Sequence, residues 1–458
     1  MHYVHAMHRS LPLRRGENQI PLAESNTGRS DMSPLKHFYN MQLGIIDLSL
    51  PSAVTIPLNP EQVLKRIGGI AMNRELLHEH GDAIVFGTGP LTGSFAPASS
   101  LLTATFASPI FTHVCHVPFM LRTGPAMKFS GIDFLVVKGT ATELSIIYVN
   151  RGNVHVRPAT HLRSVPAQDI MNALKKEFRP SGAALVTGPA ADHGILYASV
   201  SVEGHGSLDK AGLASVMAAK NLKGIVFGGT GGLPFGRDNP GQGKELIQRI
   251  SADRNFIHRG FAALLKLMDG GKAAGIIPGK AKKKDMACYN CPAPCMTHVS
   301  FPRQDFSLLL LDHMGVTALA KKTGAHALPL LRRCLQFGLD PAGVARRLPD
   351  GKTEAEWLFA IEKMLTEAER NQIAAEQSAD VPVKNHALFG GGIAPIPPLD
   401  TWHTRVGLAM ILGVCPLFFL RFPTISETDL LRFISQDEAA LTKLQESLTA
   451  SIRSVISD

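Results

Sequence analysis

Apolar and polar positions change their period once along this chain, near residue 232. Before it, short alternating runs dominate. Residues 41–48 and 53–58 alternate apolar with small or polar side chains, as paired strands do. Asn59-Pro60-Glu61 then opens a helix, with Asn59 as cap, proline at the first helical position and an acid in the first turn. The helical pattern runs to about 67 and stops at Gly68-Gly69. Strands are expected at 82–86, 101–106, 134–138, 145–149 and 153–157, the last two joined by the hairpin signal Arg151-Gly152-Asn153. A helix at 169–178, a strand at 183–187, a small-residue helix at 213–220 and a buried strand at 225–227 complete this half. After 232 the period becomes helical, over 241–250, 256–268, 318–337, 353–373 and 427–456. Ser426 with Asp429 makes a capping-box start for the last of these. The pattern predicts an α+β protein, strand-rich first and helical afterwards.

Length and composition refine that picture. The 458 residues, 45% hydrophobic and 19% charged, suit a globular chain of two or three domains. Four segments are expected: a disordered tail at 1–36, a strand-rich domain at 37–231, and helical regions at 232–345 and 346–458. No apolar run has membrane-spanning length; the best, 407–419, is too short and is followed by Arg421. His2, His5 and His8 stand where a signal peptide carries its basic residues, and no apolar stretch follows. A net charge of +9 steers acidic partners without specifying a fold. Five Tyr and two Trp are too few for the aromatic–basic interleaving of single-strand binders, so nucleic acid is not expected as a ligand. Six cysteines, half of them in one motif, do not form a disulfide framework, and a reducing cytoplasm is expected.

That motif is Cys288-Tyr289-Asn290-Cys291-Pro292-Ala293-Pro294-Cys295, spaced C-x2-C-x3-C. Thiolates are the usual ligands of iron–sulfur clusters and of zinc. Zinc sites more often use two close pairs, whereas here a triplet needs a distant fourth ligand, which favours a cluster over zinc or an unliganded loop. Cys415 follows Leu412-Gly413-Val414 and precedes Pro416, a helix end suited to a ligand. Cys334 lies in a helical run and Cys115 among strands, where both read as core. The turn Gly87-Thr88-Gly89-Pro90-Leu91-Thr92-Gly93 fits close approach of a ligand and a plain tight connection equally well.

Taken together, these stretches resemble the aldehyde:ferredoxin oxidoreductases, tungsten- or molybdenum-bis-pterin enzymes with one [4Fe-4S] cluster. The likeness runs from about residue 41 onward. It includes residues 89–93, the run from Gly124 to Asp133, the run from Gly212 to Lys223, the cysteine triplet, Phe337-Gly338-Leu339-Asp340 and Leu412-Gly413-Val414-Cys415. The resemblance implies a strand-rich base for the pterins with helical domains closing over it. It also implies cluster ligands Cys288, Cys291, Cys295 and Cys415, pterin contacts from Gly338, Leu339, Asp340 and Gly413, and a ferredoxin-like acidic electron partner or a partner subunit.

Departures from the family pattern are just as informative. Its two pterin-binding D-x-x-G-L-[D/C] motifs read Leu335-Gln336-Phe337-Gly338-Leu339-Asp340 and Met410-Ile411-Leu412-Gly413-Val414-Cys415. Both leading aspartates are apolar here, and each pterin donor left unpaired in a buried site costs about 1–3 kcal/mol. The family's G-G-R-G becomes Gly68-Gly69-Ile70-Ala71, and its S-N-S-G-G loop becomes Val117-Pro118-Phe119-Met120-Leu121. Its E-Y-E-T segment aligns with Asp305-Phe306-Ser307-Leu308, where one carboxylate remains. Asp305, His313 and His403 are the weak acid–base candidates. The expectation is therefore a kept iron–sulfur site beside a degenerate metallopterin site, with an active tungsten or molybdenum oxidoreductase and a structural zinc protein as alternatives. A lysine run, Lys280 with Lys282, Lys283 and Lys284, reads as a solvated face or as a docking patch for the acidic partner.

Overall fold

Alternating runs in the first half become two sheets. The computed structural model describes residues 34–50, 52–111, 113–178, 182–231, 240–269, 281–301, 306–366, 389, 391–394 and 396–456, all within the unit Ser33–Asp458. The first sheet has six strands: β1 (Gln42–Asp47), β2 (Ser52–Pro57), β3 (Ala83–Thr88), β4 (Leu102–Ala107), β5 (Val114–Phe119) and β6 (Phe134–Lys138). Their order is β2-β1-β6-β3-β4-β5, and only the β1–β6 pair is parallel. The second has five: β7 (Ser145–Asn150), β8 (Asn153–Pro158), β9 (Ala183–Thr187), β10 (Val200–Val202) and β11 (Leu222–Phe227), ordered β10-β9-β11-β7-β8. Strands β3, β9 and β11 are buried along their whole length, so β3 and β9 read as mostly apolar runs without alternation, whereas β11 also buries Lys223, paired with Asp192 at 2.6 Å.

Local signals decide several boundaries. Asn59 caps the helix Pro60–Arg66 by accepting from the Glu61 amide at 2.9 Å. Arg151 and Gly152 take φ of 51° and 76°, the left-handed pair that a tight β7–β8 hairpin needs. Ser426 and Asp429 form the expected reciprocal capping box. Residues 34–36, which composition assigns to the tail, begin a 3-10 turn, Pro34–Phe38, whose Leu35 and Phe38 are buried. Residues 1–33 lie outside the described residues.

Three differences from the expected elements bear on the site. Gly68-Gly69 is a break between helices: a second helix, Gly69–His80, starts at once and packs on β3 and β4. Its fully buried Asn73 donates to the Thr103 and Thr105 side chains at 3.1 Å. The run 318–337 divides at Gly324 into His313–Thr323 and Ala327–Phe337, and 427–456 divides into Glu427–Leu431 and Glu438–Ile456. The half expected to be helical also contains a third sheet, the antiparallel meander β12 (Lys282–Met286), β13 (Met296–Phe301) and β14 (Phe306–Leu310). The cysteine triplet is its β12–β13 connection. Helix Leu399–Leu412 packs between Gly69–His80 and Glu438–Ile456, and so carries Cys415 back onto the strand-rich half.

Candidate metal centre

One loop of the first sheet ties the two cysteine-bearing segments together. Between β3 and β4, Ala98 takes a φ of 58°, uncommon for a residue with a side chain. Its amide donates to the Asn290 carbonyl at 2.9 Å, and its carbonyl accepts from the Cys415 amide at 2.9 Å. The same loop fixes the triplet further. Asn290 Nδ2 donates to the Ala96 carbonyl at 2.9 Å, and the Tyr289 hydroxyl donates to the Gly93 carbonyl at 3.0 Å. On the other side the Tyr289 amide donates to the Leu121 carbonyl at 2.9 Å. Cys415 itself sits immediately before the helix Pro416–Arg421, with proline at the first helical position.

The glycine-rich turn upstream has a definite partner. The Leu91 amide donates to the Leu412 carbonyl at 3.0 Å, and Thr92 Oγ1 donates to the Leu101 carbonyl at 3.0 Å and reaches the Gly413 carbonyl at 3.3 Å. Gly413 has a φ of 84° and ends the helix Leu399–Leu412. A Cβ on Gly413 would overlap Thr92, and one on Gly89 would overlap the Leu412–Gly413 peptide. The close approach that this turn permits is therefore to the chain's own backbone.

As a result Cys288, Cys291, Cys295 and Cys415 all line one cavity, together with Leu264, Ala293, Leu417, Phe418 and Arg421. All four thiols are free of disulfides. Cys288 and Cys415 are buried, whereas Cys291 and Cys295 are half-buried. The Leu121 amide donates to Cys288 Sγ at 3.3 Å, and Cys415 Sγ lies 3.4 Å from Met120 Sδ. Burial pushes the Cys291 thiol up to about 11. It pushes Cys415 up to about 12, with Cys291 adding to the shift. Cys288 and Cys295 are also raised, first by burial and then by the neighbouring sulfurs. Four thiolates so placed repel one another, and a cationic core that offsets them is what this donor set fits. Among the described residues, no three His, Cys, Asp or Glu side chains are grouped to hold one metal ion.

Cys334 and Cys115 are buried away from this cavity, in the helix Ala327–Phe337 and in β5, as the sequence suggested. Met120, Leu121, Ala98 and Arg421 are the site residues that sequence reasoning missed. Met120 and Leu121 had been noted only as a departure from the family loop, and no periodicity or spacing marked the other two.

The residues assigned to pterin contact are occupied by protein. The Gly338 carbonyl accepts from the Ser199 amide at 2.7 Å, Leu339 bridges to Ala198, and the Asp340 amide donates to the Tyr197 carbonyl at 2.8 Å. The Asp340 carboxylate caps the helix Pro341–Arg347, accepting from the Ala342 and Gly343 amides at 3.1 and 2.9 Å. It also pairs with the buried Lys210 ammonium, which in turn pairs with Asp312 at 2.5 Å. Burial opposes the Lys210 charge, but the two carboxylates hold its pKa above the ordinary lysine range. Met410 and Leu412, in the second motif, are fully buried in the core.

Neither histidine candidate lines the cysteine cavity. His313 is buried at the start of its helix, with Nε2 accepting from the Ala394 amide at 3.4 Å. His403 is buried edge-on to Trp402, with ring centroids 4.9 Å apart. Asp305 and Lys280 lie outside the described residues.

With this geometry in place, residues 43–229 match the family model for the aldehyde ferredoxin oxidoreductase N-terminal domain. This domain match and the relatives below support a divergent member of the aldehyde ferredoxin oxidoreductase family. It is 31% identical over 147 residues to the tungsten-containing aldehyde ferredoxin oxidoreductase of Pyrococcus horikoshii, covering 32% of this chain and 24% of that protein. It is 23% identical over 290 residues to the Thermococcus kodakarensis protein of the same name, covering 56% of this chain and 47% of that one. A third relative, from Pyrococcus furiosus, is the WOR-like subunit of an aliphatic sulfonate oxidoreductase, 22% identical over 43% of this chain and 35% of its own length. These matches thus span less than half the length of each relative. The active-site complex BamBC of benzoyl coenzyme A reductase shares the fold, with a TM-score of 0.64 over 74% of this chain and 62% of that one at 20% identity. Among the described residues, no helix is long and apolar enough to cross a membrane.

Proposed function

We propose that the protein is an iron–sulfur redox member of its family, in which Cys288, Cys291, Cys295 and Cys415 hold one [4Fe-4S] cluster and the metallopterin site is degenerate. The observation that carries this reading is the single cavity lined by a triplet and by a cysteine over a hundred residues later. Structural zinc sites more often use two close pairs of ligands, so a triplet with one distant cysteine favours a multinuclear core. When bound, such a cluster supplies one-electron transfer. The chain's own part is to exclude water with Leu264, Leu417 and Phe418 and to donate the Leu121 amide to one ligand sulfur.

Support for a degenerate pterin site comes from what fills it. Apolar Leu335 and Met410 replace the family's two leading acids, and the Gly89 turn closes on the Gly413 backbone. Lys210 supplies to Asp340 the hydrogen bonding that a pterin would otherwise offer. A second reading, an active tungsten or molybdenum oxidoreductase, is favoured by the names of the Pyrococcus and Thermococcus relatives. Elemental analysis separates the two: iron without tungsten or molybdenum supports the first reading, and stoichiometric tungsten or molybdenum the second.

An acidic ferredoxin-like protein in the cytoplasm, or a partner subunit, is the proposed electron partner. Lys283 and Lys284 are exposed on β12, an edge strand of its sheet, where they also discourage strand pairing with other chains. Reversing both charges should slow reduction by an acidic ferredoxin and flatten its dependence on salt. Unchanged rates at low salt would remove them from the docking surface.

A further inference from the structure

A buried cation in the cavity wall plays no part in the ligand set. Arg421 lines the cavity with the four cysteines and is only 5% exposed. Its guanidinium donates to the backbone carbonyls of Asn255 at 2.7 Å, of His258, and of Pro294 at 3.4 Å. Pro294 immediately precedes Cys295. These carbonyls aim the guanidinium and leave its charge in place. Asp253 and Arg259 are the other charged groups that act on it, with opposite signs.

We propose that Arg421 is the counter-charge of the cysteine centre, a positioning residue that raises its reduction potential. The inference rests on the iron–sulfur reading above. Four thiolates around a doubly positive core leave a net negative centre, and one added electron makes it more negative. A fixed positive charge in a poorly solvated wall stabilises the reduced form more than the oxidised form. Burial works against the Arg421 charge, while the Cys295 and Cys291 sulfurs favour it. Burial lowers the Arg421 pKa overall, yet a guanidinium stays protonated in a protein, so the charge persists in the cavity wall. A purely structural role, tying the turn Arg254–Ile257 to the triplet, would need the hydrogen bonds and not the charge.

The test is a mediated redox titration of the full-length, anaerobically purified protein. Bleaching of the visible band and the electron paramagnetic resonance of the reduced form are read, with iron content and melting temperature measured alongside. Each cluster takes one electron from the mediator. Arg421→Gln with wild-type iron should titrate at a lower potential than the wild type, and Arg421→Lys should return close to it. An unshifted Arg421→Gln midpoint overturns the proposal. So do equal shifts in both variants, since the lysine keeps the charge. If Arg421→Gln fails to retain iron, Arg421→Lys decides: iron kept at a near-wild-type midpoint supports the charge, and iron lost from both makes Arg421 a structural tie. Wild-type protein without iron or visible absorption would instead defeat the cluster reading, before any variant is compared.

Discussion

Cys415 is where the residue-level account is most exposed to test. Its amide is held by Ala98 and it lines a cavity shared with the triplet, the position that the proposed cluster requires. Cys415→Ser should keep the fold by far-ultraviolet circular dichroism while losing most iron and visible absorbance. Full iron in that variant would remove Cys415 from the ligand set. A second residue reports on pH. His116 is fully buried on β5, with Nδ1 2.8 Å from Thr105 Oγ1. Burial holds its pKa down to about 3, and the charges of Arg74 and His113 add to this. The folded state keeps it neutral while the unfolded chain takes up a proton near the ordinary histidine value. Its contribution to stability is therefore complete above about pH 6.5 and is lost as pH falls towards 3, by about 1.4 kcal/mol per unit. At pH 5 the loss is about 2 kcal/mol. His116→Gln should show a correspondingly shallower loss in denaturant titrations between pH 6.5 and 4. An identical acid arm in both proteins would mean that His116 is protonated in the folded state.

Among the elements, the junction between the Gly87–Gly93 turn and the end of helix Leu399–Leu412 matters most, because it sets where Cys415 lies. Gly413→Ala places a side chain at a φ of 84°, against Thr92 and the Gly89 backbone. The left-handed conformation alone costs about 1–2 kcal/mol, and the overlap adds to it. The expected result is a lower melting temperature together with reduced iron, and a variant with both unchanged would disprove the junction's role. The ends of these elements were legible where a local rule governs them, as at Asn59, Arg151-Gly152 and Ser426–Asp429. The third sheet was not. β12 reads Lys-Lys-Lys-Asp-Met, a solvated edge with little strand propensity, and it exists because β13 pairs with it. Gly68-Gly69 was read as a stop since glycine usually ends a helix, whereas here it joins two helices beneath the Met410–Ile411 backbone. The three clustered cysteines were legible from spacing, and Cys415 from its Gly–Pro frame. Arg421 was not, because its place depends on carbonyls some 160 positions away in sequence.

Across the whole molecule, the family likeness and the departures from it divide along the chain. The matched domain, 43–229, supplies the two sheets and the Ala98 loop that gathers the cysteines. The residues expected to contact a pterin lie after it, where helix ends close directly on those sheets. Lys210 pins that closure through Asp312 and Asp340, which cap two different helices. Lys210→Met should destabilise the fold by about 3–5 kcal/mol, since it leaves two buried carboxylates facing each other. Equilibrium unfolding would measure this, and a loss below about 1 kcal/mol would mean that the pair is solvated or protonated. The most direct test of the central claim is the metal content of anaerobically purified full-length protein. About four iron atoms per chain, with neither tungsten nor molybdenum, is the expected result. One zinc per chain without iron would contradict the cluster, and stoichiometric tungsten or molybdenum would contradict the degenerate pterin site.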